Sequence, residues 1–163
     1  MLRLIKHLIT PGWWARRPFG GAVLARIEAV IAQSEQQHCG ELRIAIEADL
    51  DLRALLRGVT PRQRAIGMFS QMRVWDTAQN SGVLIYVQLI DRDIEIVADR
   101  GINALVAQAE WDAICARMEA AFRQSQFEAG VTAGLRDITA LLTRHFPARA
   151  ENPDELPNRP VLL

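Results

Sequence analysis

Five acidic and amide side chains lie where loops meet the apolar runs of the sequence. Their oxygens are the ligands that a hard divalent cation prefers, since such a cation takes roughly six to eight oxygens, several of them anionic. We therefore treat them as candidate metal ligands: Glu41, Asp76, Asn80, Asp99 and Asn103. Trp75 and Arg100 lie beside them and are candidate binding residues, with packing as the alternative role of Trp75. Arg100 also provides an alternative to a metal site, because its guanidinium can pair with the neighbouring carboxylates in place of a metal.

A second acidic group follows the ends of the same apolar runs: Glu47, Asp49, Asp51, Asp91 and Asp93. Ligands of open α/β sheets usually bind at the carboxyl ends of parallel strands, which gives this group a competing claim. Only one parallel pair of strands is predicted here, so the rule favours the second group weakly. Acidic loop residues are also typical of solvated turns and helix caps, and both groups keep that alternative.

The N-terminal residues are basic and aromatic. The first 27 residues contain five basic side chains and no acidic one: Arg3, Lys6, Arg16, Arg17 and Arg26. Trp13 and Trp14 lie next to Arg16 and Arg17, a combination typical of a membrane interface or a partner surface. We predict that residues 1–20 form an arm. We also predict that Trp13, Trp14, Arg16 and Arg17 bind a membrane interface or a partner surface. The alternative is that the arm tucks its tryptophans into the domain.

Hydrophobic periodicity predicts the helices that position these groups. Apolar residues at helical spacing indicate a helix over residues 21–37 and two later helices that bury Trp111 and Phe127. Thr60 and Pro61 are typical of a helix start with a capping box. The helix that follows them is expected to bury four side chains: Ala65, Ile66, Phe69 and Met72.

Three strands are predicted among these helices. Strict alternation indicates a strand over 42–47, an unbroken apolar run indicates a central strand over 83–90, and a tight reversal returns the chain as a strand over 93–98. A helix joins the first two strands, so they are expected to be parallel, whereas the third is antiparallel. The predicted fold is an α/β/α sandwich over residues 21–147, with a mixed central sheet and helices on both faces. Residues 148–163 contain three prolines and little to bury, and we expect an extended tail there.

This topology decides which polar residues can meet. The starts of the two parallel strands and the end of the antiparallel strand share one edge of the sheet. The candidate metal ligands and Arg100 are therefore brought toward one rim, and the second acidic group falls on the opposite rim.

Composition bounds the classes of function. The 163 residues carry no net charge, since 19 basic side chains balance 19 acidic ones. That balance argues against a nucleic-acid partner, whose binding depends on a surplus of basic residues. A hydrophobic fraction of 50% excludes a disordered chain. The longest apolar stretch is far shorter than a membrane span, and the N-terminus lacks the apolar core of a signal peptide, so we expect a cytoplasmic protein.

Other reactive side chains have no supporting pattern. Cys39 and Cys115 form neither a disulfide framework nor a zinc motif, although a single disulfide stays open. His7, His38 and His145 are far apart, on the arm and at two predicted helix ends, where histidines commonly complement the helix dipole.

Four segments of the chain resemble the TPM domain, the module of thylakoid-lumen phosphatase-like proteins and of many bacterial proteins. They are Gly40-Glu-Leu-Arg-Ile-Ala-Ile46, Asn80-Ser-Gly-Val-Leu-Ile-Tyr86, Asp91-Arg-Asp-Ile-Glu-Ile96 and Asp99-Arg-Gly-Ile102. The resemblance covers about residues 22–146. It implies an α/β/α sandwich with a mixed sheet, a metal site that often holds calcium, and the acid phosphatase activity claimed for some members.

The loops depart from the family pattern. The family's Asp-Asn-Gly is replaced by Asn80-Ser81-Gly82, which removes one carboxylate. Its Gly-Tyr-Gly-Leu-Glu is replaced by the segment from Asp99 to Asn103, which gains one carboxylate, loses another and adds a cation. These changes weaken the implied metal site.

Three functions follow, in order of preference. The first is a binding or adaptor module for membrane-associated protein partners, peripheral at the inner face of an anionic membrane, with a calcium site in its loops. The second is a metal-assisted, acid phosphatase-like hydrolase, which the lost carboxylates count against. The third is a structural subunit that buries the tryptophans of the arm, or the tail, in an interface. Whether the protein is an enzyme stays open.

Overall fold

A mixed four-stranded sheet forms the centre of the protein. The structure, a computed structural model, describes residues 2–150 and 152–163; the side chains at positions 2–4 and 8 lie outside that description, the predicted basic residue Arg3 among them. The strands lie in the order β3-β2-β1-β4. Their bounds are β1 (Glu41–Glu47), β2 (Gly82–Gln88), β3 (Asp93–Ala98) and β4 (Val161–Leu162). As predicted, β1 and β2 are parallel and β3 is antiparallel to β2.

Helices precede, connect and cover these strands. In chain order they are α1 (Leu2–Ile9), α2 (Gly12–Ala15), a 3-10 helix (Arg17–Phe19), α3 (Gly21–Glu35), α4 (Leu52–Leu56), α5 (Pro61–Gln71), α6 (Arg100–Asn103), α7 (Gln108–Arg123) and α8 (Phe127–His145). Among the described residues, none of these helices combines the length and the apolar character that crossing a membrane requires.

The sheet separates two apolar clusters. Ile85 of β2 packs in the larger cluster with Ile31 of α3 and Trp111 of α7. Its neighbour Tyr86 packs in the smaller cluster with Met68 of α5. Successive side chains of a strand point to opposite faces, so β2 is buried on both sides. This arrangement confirms the predicted α/β/α sandwich.

The start of α5 follows the sequence pattern, and one buried position does not. The capping box at Thr60 forms as predicted. Ala65 is buried, and Phe69 and Met72 are partly buried and pack against the smaller cluster. Ile66 was expected to be buried and is instead half exposed. It follows Ala65 by one position, which turns it about 100° away from the buried face of the helix.

The C-terminal segment corrects the expectation of a tail that buries little. Val161 pairs with Ala45, which adds β4 to the sheet in parallel with β1. The backbone N–H of Leu163 donates to the Ile46 carbonyl at 2.8 Å. Upstream of the strand, Leu156 is buried in the smaller cluster. The described residues of this segment, 148–150 and 152–163, are therefore part of the folded domain.

The N-terminal arm is docked on the domain. His7 is buried, and its Nε2 lies 3.1 Å from Oδ2 of Asp91, which follows β2. Phe19 is buried, with its ring centroid 6.4 Å from that of Phe122 and 6.2 Å from that of Phe127. Two separated anchors thus hold the arm against the sandwich.

Candidate functional site

The structure brings Asn80, Asp99 and Arg100 together where β2 begins and β3 ends, a place we call the β2–β3 rim. The backbone N–H of Asp99 donates to the Gly82 carbonyl at 2.8 Å, and that of Gly101 donates to the Asn80 carbonyl at 3.1 Å. A Cβ atom at Gly101 would lie 2.6 Å from the same Asn80 oxygen. Glycine at this position therefore permits the close approach of the two loops.

Most polar atoms of the β2–β3 rim are engaged in hydrogen bonds. Nε of Arg100 donates to Oδ1 of Asn80 at 3.0 Å. Nδ2 of Asn103 donates to the Ala98 carbonyl at 2.8 Å. Oδ1 of Asp99 accepts from the Arg100 backbone N–H at 2.7 Å, whereas its Oδ2 is buried without a hydrogen-bond partner.

The other sequence-predicted residues of this rim have contacts and positions of their own. Asp76 pairs with Arg73 at 2.6 Å on the surface. The guanidinium of Arg73 also lies 5.7 Å from the ring centroid of Trp75, which is half exposed. Glu41 starts β1, which β2 separates from β3.

The donor set at the β2–β3 rim does not fit the calcium ion that the family resemblance implies. Calcium takes roughly six to eight oxygens, several of them anionic. Among the described residues of the rim, Oδ2 of Asp99 is the one buried carboxylate oxygen without a partner. Arg100 supplies a positive charge there and holds the Asn80 oxygen. We therefore derive no chemistry through a cation at this rim.

The second acidic group has structural partners. Glu47 is buried, and it accepts hydrogen bonds from the Arg64 guanidinium, the closest at 2.6 Å, and from the hydroxyl of Tyr86. Burial, followed by the contact with Glu47, raises the pKa of that hydroxyl. Asp51 caps α4 through a backbone N–H at 2.9 Å, and Asp91 holds the arm. These contacts make the opposite rim part of the scaffold.

Three carboxylates converge at the other side of β1, in a depression that we call the acidic cleft. One oxygen each of Glu35, Glu41 and Asp154 lies within 4.8 Å of the others. Glu35 ends α3, Glu41 begins β1, and Asp154 comes from the C-terminal segment. The cleft has a volume of about 380 Å³, and Asn152 and Asn158 also line it.

Burial dominates the electrostatics of the acidic cleft. Oε1 of Glu35 accepts from the Leu42 backbone N–H at 3.0 Å, and its Oε2 is buried without a partner. Burial, with the nearby carboxylates, raises the pKa of Glu35 to about 8. Oε2 of Glu41 accepts from the Leu156 backbone N–H at 3.1 Å, and burial also raises the pKa of Glu41.

His38 lies in a buried hydrogen-bonded chain and not at a solvated helix end. Its Nδ1 accepts from the Gly40 backbone N–H at 3.2 Å, so Nε2 carries the proton toward Oγ of Ser34 at 2.8 Å. Oγ of Ser34 lies 2.6 Å from Oγ1 of Thr139, whose hydroxyl donates to the Leu135 carbonyl at 2.6 Å. Burial lowers the pKa of His38 to about 4. The ring is neutral and structural.

The docked arm presents an apolar surface to solvent. Four large side chains form what we call the arm surface: Ile5, Ile9, Trp13 and Trp14. The adjacent Arg16 and Arg17 are also exposed. Between the arm and the domain runs a groove of about 600 Å³, lined by three basic residues and by apolar ones that include Trp14 and Phe127. The basic residues of this groove are Lys6, Arg17 and Arg92.

Comparison with known families identifies the fold. The sequence model of the TPM domain matches residues 19–141. The chain belongs to the TPM domain family. The resemblance predicted over residues 22–146 is therefore confirmed, and the C-terminal segment of this TPM domain protein lies beyond the matched region.

Two solved structures resemble this TPM domain. The BA42 protein from the psychrophilic bacterium Bizionia argentinensis is 27% identical, with 87% of this chain and 93% of that chain covered and a TM-score of 0.77. The N-terminal domain of a protein from P. gingivalis is 16% identical over 82% of this chain and 83% of that chain, with a TM-score of 0.62, and supports the fold alone. No curated protein matches the chain significantly.

Sequence reasoning identified only one member of the acidic cleft, Glu41. Glu35 is the last residue of a helix, a position that carries no signal for a ligand. Asp154 was missed because the C-terminal segment was expected to be an extended tail with little to bury. The Asp-Glu pair at 154–155, between Pro153 and Leu156-Pro157, is the one local feature that could have drawn attention to it.

Proposed function

We propose that this TPM domain protein is a binding module that attaches to an anionic membrane through the arm surface and acts there as an adaptor for a membrane-associated protein. The observation that carries the proposal is the exposure of Trp13 and Trp14, 69% and 56%, in an arm that is itself docked. The proposal places the protein at the inner face of a membrane, where anionic lipids are concentrated.

The tryptophans of the arm are exposed even though the arm is anchored to the domain. His7 and Phe19 are buried, so the arm has a defined position on both sides of the tryptophans. The tryptophans nevertheless stay largely exposed, and Ile9, which lines a surface depression with them, is 73% exposed. A contiguous apolar surface of this kind usually marks a binding site in a globular protein. Tryptophan in particular favours the headgroup zone of a bilayer.

The charge of the arm favours an anionic membrane over a neutral surface. No acidic residue precedes Glu28 in the sequence. Arg16 and Arg17 are exposed directly beside the tryptophans. Each basic residue near an anionic leaflet contributes about 1 kcal/mol, an attraction that weakens with added salt. Lys6 contributes less, because its Nζ lies 3.9 Å from a carboxylate oxygen of Asp91.

The groove beside the arm extends the same chemistry into the domain. Lys6, Arg17 and Arg92 line it together with Trp14 and Phe127. Basic side chains above apolar walls suit a ligand that is anionic at one end and apolar at the other, as a phospholipid is. This supports a membrane surface more than an acidic protein as the primary contact of the arm.

The phosphatase alternative has no comparable support. It requires a cation with an activated water or nucleophile beside it. The oxygens of the β2–β3 rim are largely held by Arg100 and by backbone groups. Phosphatase activity therefore rests on the family resemblance alone.

Vesicle co-sedimentation tests the proposal. We expect the intact protein to sediment with phosphatidylserine-containing vesicles, to sediment poorly with pure phosphatidylcholine vesicles, and to be released by salt. The double variant Trp13→Ala, Trp14→Ala should lose most of the binding. The double variant Arg16→Gln, Arg17→Gln should weaken it about 30-fold, which corresponds to about 2 kcal/mol.

Trp75→Ala is the matched control, because Trp75 is an exposed tryptophan that lies outside the arm. It should bind anionic vesicles as the intact protein does. Equal sedimentation of the intact protein and the Trp13, Trp14 variant would contradict the membrane proposal. Binding to both kinds of vesicle without salt sensitivity would contradict the role of the arginines.

A further inference from the structure

We propose that the groove between the arm and the domain binds one molecule of an anionic phospholipid, with its phosphate held by Arg17 and Arg92. The acyl chains of this lipid lie along apolar walls that include Trp14 and Phe127. The site rests on the proposed membrane attachment for its source of lipid, and it deepens that proposal because it holds a single lipid molecule. Monomeric lipid reaches the groove without a bilayer, so the site can be tested separately from the arm surface.

Three separate parts of the chain build this groove. They are the arm, the residues from Leu89 to Arg92 that follow β2, and the turn between α7 and α8 with the start of α8. The volume of about 600 Å³ lies within the range of roughly 300–1,000 Å³ that small-molecule sites occupy. His7 and Phe19 anchor the arm, so its wall of the groove is in place before a ligand binds.

Apolar side chains line the groove on both the domain side and the arm side. Leu89 and Ile90 are almost fully buried and form part of the domain wall. Phe127 packs edge-on against Phe19, with 6.2 Å between the two ring centroids. Trp14 lines the groove from the arm. An acyl chain in the groove removes apolar surface of these residues from water, which is the main favourable contribution to the binding of a hydrocarbon.

The groove carries positive charge that the domain leaves largely uncompensated. Of its three basic residues, Lys6 is partly neutralised, because its Nζ lies 3.9 Å from a carboxylate oxygen of Asp91. Arg17 and Arg92 are exposed, and within the described part of the chain neither guanidinium pairs with a carboxylate. Nη1 of Arg92 donates to the Arg123 carbonyl at 3.3 Å, which is a neutral acceptor. Guanidinium groups form charge-assisted, bidentate hydrogen bonds with phosphate, so the two arginines suit a phosphate group.

Two residues of the groove have a backbone conformation that residues with side chains rarely adopt. Arg92 has a φ of 56° and Ser125 a φ of 61°, and both values lie in the left-handed region that favours glycine. The described chain has four such non-glycine residues, so half of them line this groove. Backbone strain of this kind is concentrated at binding and active sites. An arginine at the reversal after β2, where glycine would fit more easily, therefore indicates a role for its side chain.

The apolar walls and the two arginines together select an anionic phospholipid. An inorganic anion would leave the apolar walls exposed to water. A zwitterionic phospholipid carries its own cation close to the phosphate, and that cation repels the arginines. The groove also adjoins the arm surface, since Trp14 belongs to both. A lipid at the membrane interface is therefore within reach of the groove when the arm surface is bound.

Amide chemical shifts in a lipid titration test the site on the full chain. The probe is dihexanoyl phosphatidylserine, kept below its critical micelle concentration. We expect saturable shifts at the amides of Ala15 and Phe127, which line the groove. No shift is expected at Leu156, whose N–H donates to Glu41 at the far end of the sheet. O-phosphoserine lacks the acyl chains and dihexanoyl phosphatidylcholine lacks the net negative charge, so each should bind about tenfold more weakly or worse.

Arg92→Gly is the decisive variant, and Arg73→Gly is its matched control outside the groove. Both arginines are exposed and have a positive φ, 56° and 53°, which glycine adopts without steric cost, so both variants should unfold in urea as the parent does. Arg92→Gly should weaken the binding of the phosphatidylserine probe about tenfold, since a charge-assisted contact with the phosphate is lost. Arg73→Gly should bind the probe as the parent does. Arg17→Gln provides the same test should Arg92→Gly be unstable.

Four results would each overturn the proposed site. They are the absence of saturable shifts, equal binding of the phosphatidylserine and phosphatidylcholine probes, equal binding of O-phosphoserine, and unchanged affinity in a folded arginine variant of the groove. Vesicle binding by a protein that does not bind the monomeric lipid would refute the groove and leave the arm surface in place. Binding of the monomeric lipid without vesicle sedimentation would refute the membrane attachment alone.

Discussion

His38 and Glu35 are three positions apart, and burial disfavours the charged form of each side chain. Burial lowers the pKa of His38 from 6.5 to about 4 and raises the pKa of Glu35 from 4.5 to about 8. The hydrogen-bonded chain through Ser34 and Thr139 uses both ring nitrogens of the neutral histidine. These two residues therefore link the stability of the domain to pH in opposite directions.

The direction in which His38 changes stability with pH follows from its protonation in the folded and the unfolded protein. Above pH 6.5 both the folded and the unfolded protein hold a neutral His38. Between pH 6.5 and about 4 His38 is protonated in the unfolded state and stays neutral in the folded state. The free energy of unfolding therefore decreases as the pH falls through this window, by up to about 3 kcal/mol.

The variant His38→Gln should lack this component of the pH dependence. We expect urea unfolding of the variant to show lower stability at neutral pH, because the buried hydrogen bonds are disturbed, and a smaller loss of stability between pH 6.5 and 4. Glu35 is present in both proteins, so its opposite contribution cancels in the difference. His145→Gln, at the partly exposed end of α8, is the control. Parallel pH curves for the parent and His38→Gln would show that His38 is not the linked group.

Residue types alone indicated that carboxylates could form a site, but not which carboxylates lie close together. Glu41 was predicted to act together with Asp76 and Asp99. Asp76 instead pairs with Arg73 at the surface, and β2 lies between β1, which Glu41 begins, and β3, which Asp99 follows. The carboxylates that do meet Glu41 belong to a helix end and to the C-terminal segment. Long-range packing decides such a meeting, and no local pattern encodes it.

At the scale of elements, the sequence predicted the strands and the helix start that depend on local side-chain patterns. The strands β1, β2 and β3 follow from alternation or from an unbroken apolar run, and the capping box at Thr60 forms as its spacing indicates. The strand β4 has only two residues, which is too short for any periodicity. Its pairing covers part of the edge of β1, which would otherwise offer unpaired backbone groups.

The C-terminal segment should therefore contribute to stability. We predict that Leu156→Ala lowers the free energy of unfolding by about 2–3 kcal/mol, since it removes a side chain buried in the smaller cluster. The matched control is Leu56→Ala in α4, where the leucine is 69% exposed and the expected change is within about 0.5 kcal/mol. Urea unfolding measures both. Similar values for the two variants would mean that residues 148–163 are a dispensable tail.

At the scale of the whole molecule, the docked arm and the acidic cleft lie at opposite ends of the sheet. His7 of the arm contacts Asp91 and accepts from the Leu50 backbone N–H at 3.2 Å, both beyond the carboxyl ends of β2 and β1. Glu41 of the acidic cleft is the first residue of β1. Variants at sites without shared partners usually behave independently, so Asp154→Asn should leave vesicle binding unchanged.

The central claim is that the tryptophans of the arm enter the membrane interface, and their fluorescence tests it most directly. In the variant Trp75→Phe the remaining tryptophans are Trp13, Trp14 and the buried Trp111, so only the arm pair can change its environment. On titration with phosphatidylserine-containing vesicles we predict a blue shift of the emission that salt reverses and that phosphatidylcholine vesicles do not produce. An emission spectrum that anionic vesicles leave unchanged at low salt would contradict the claim.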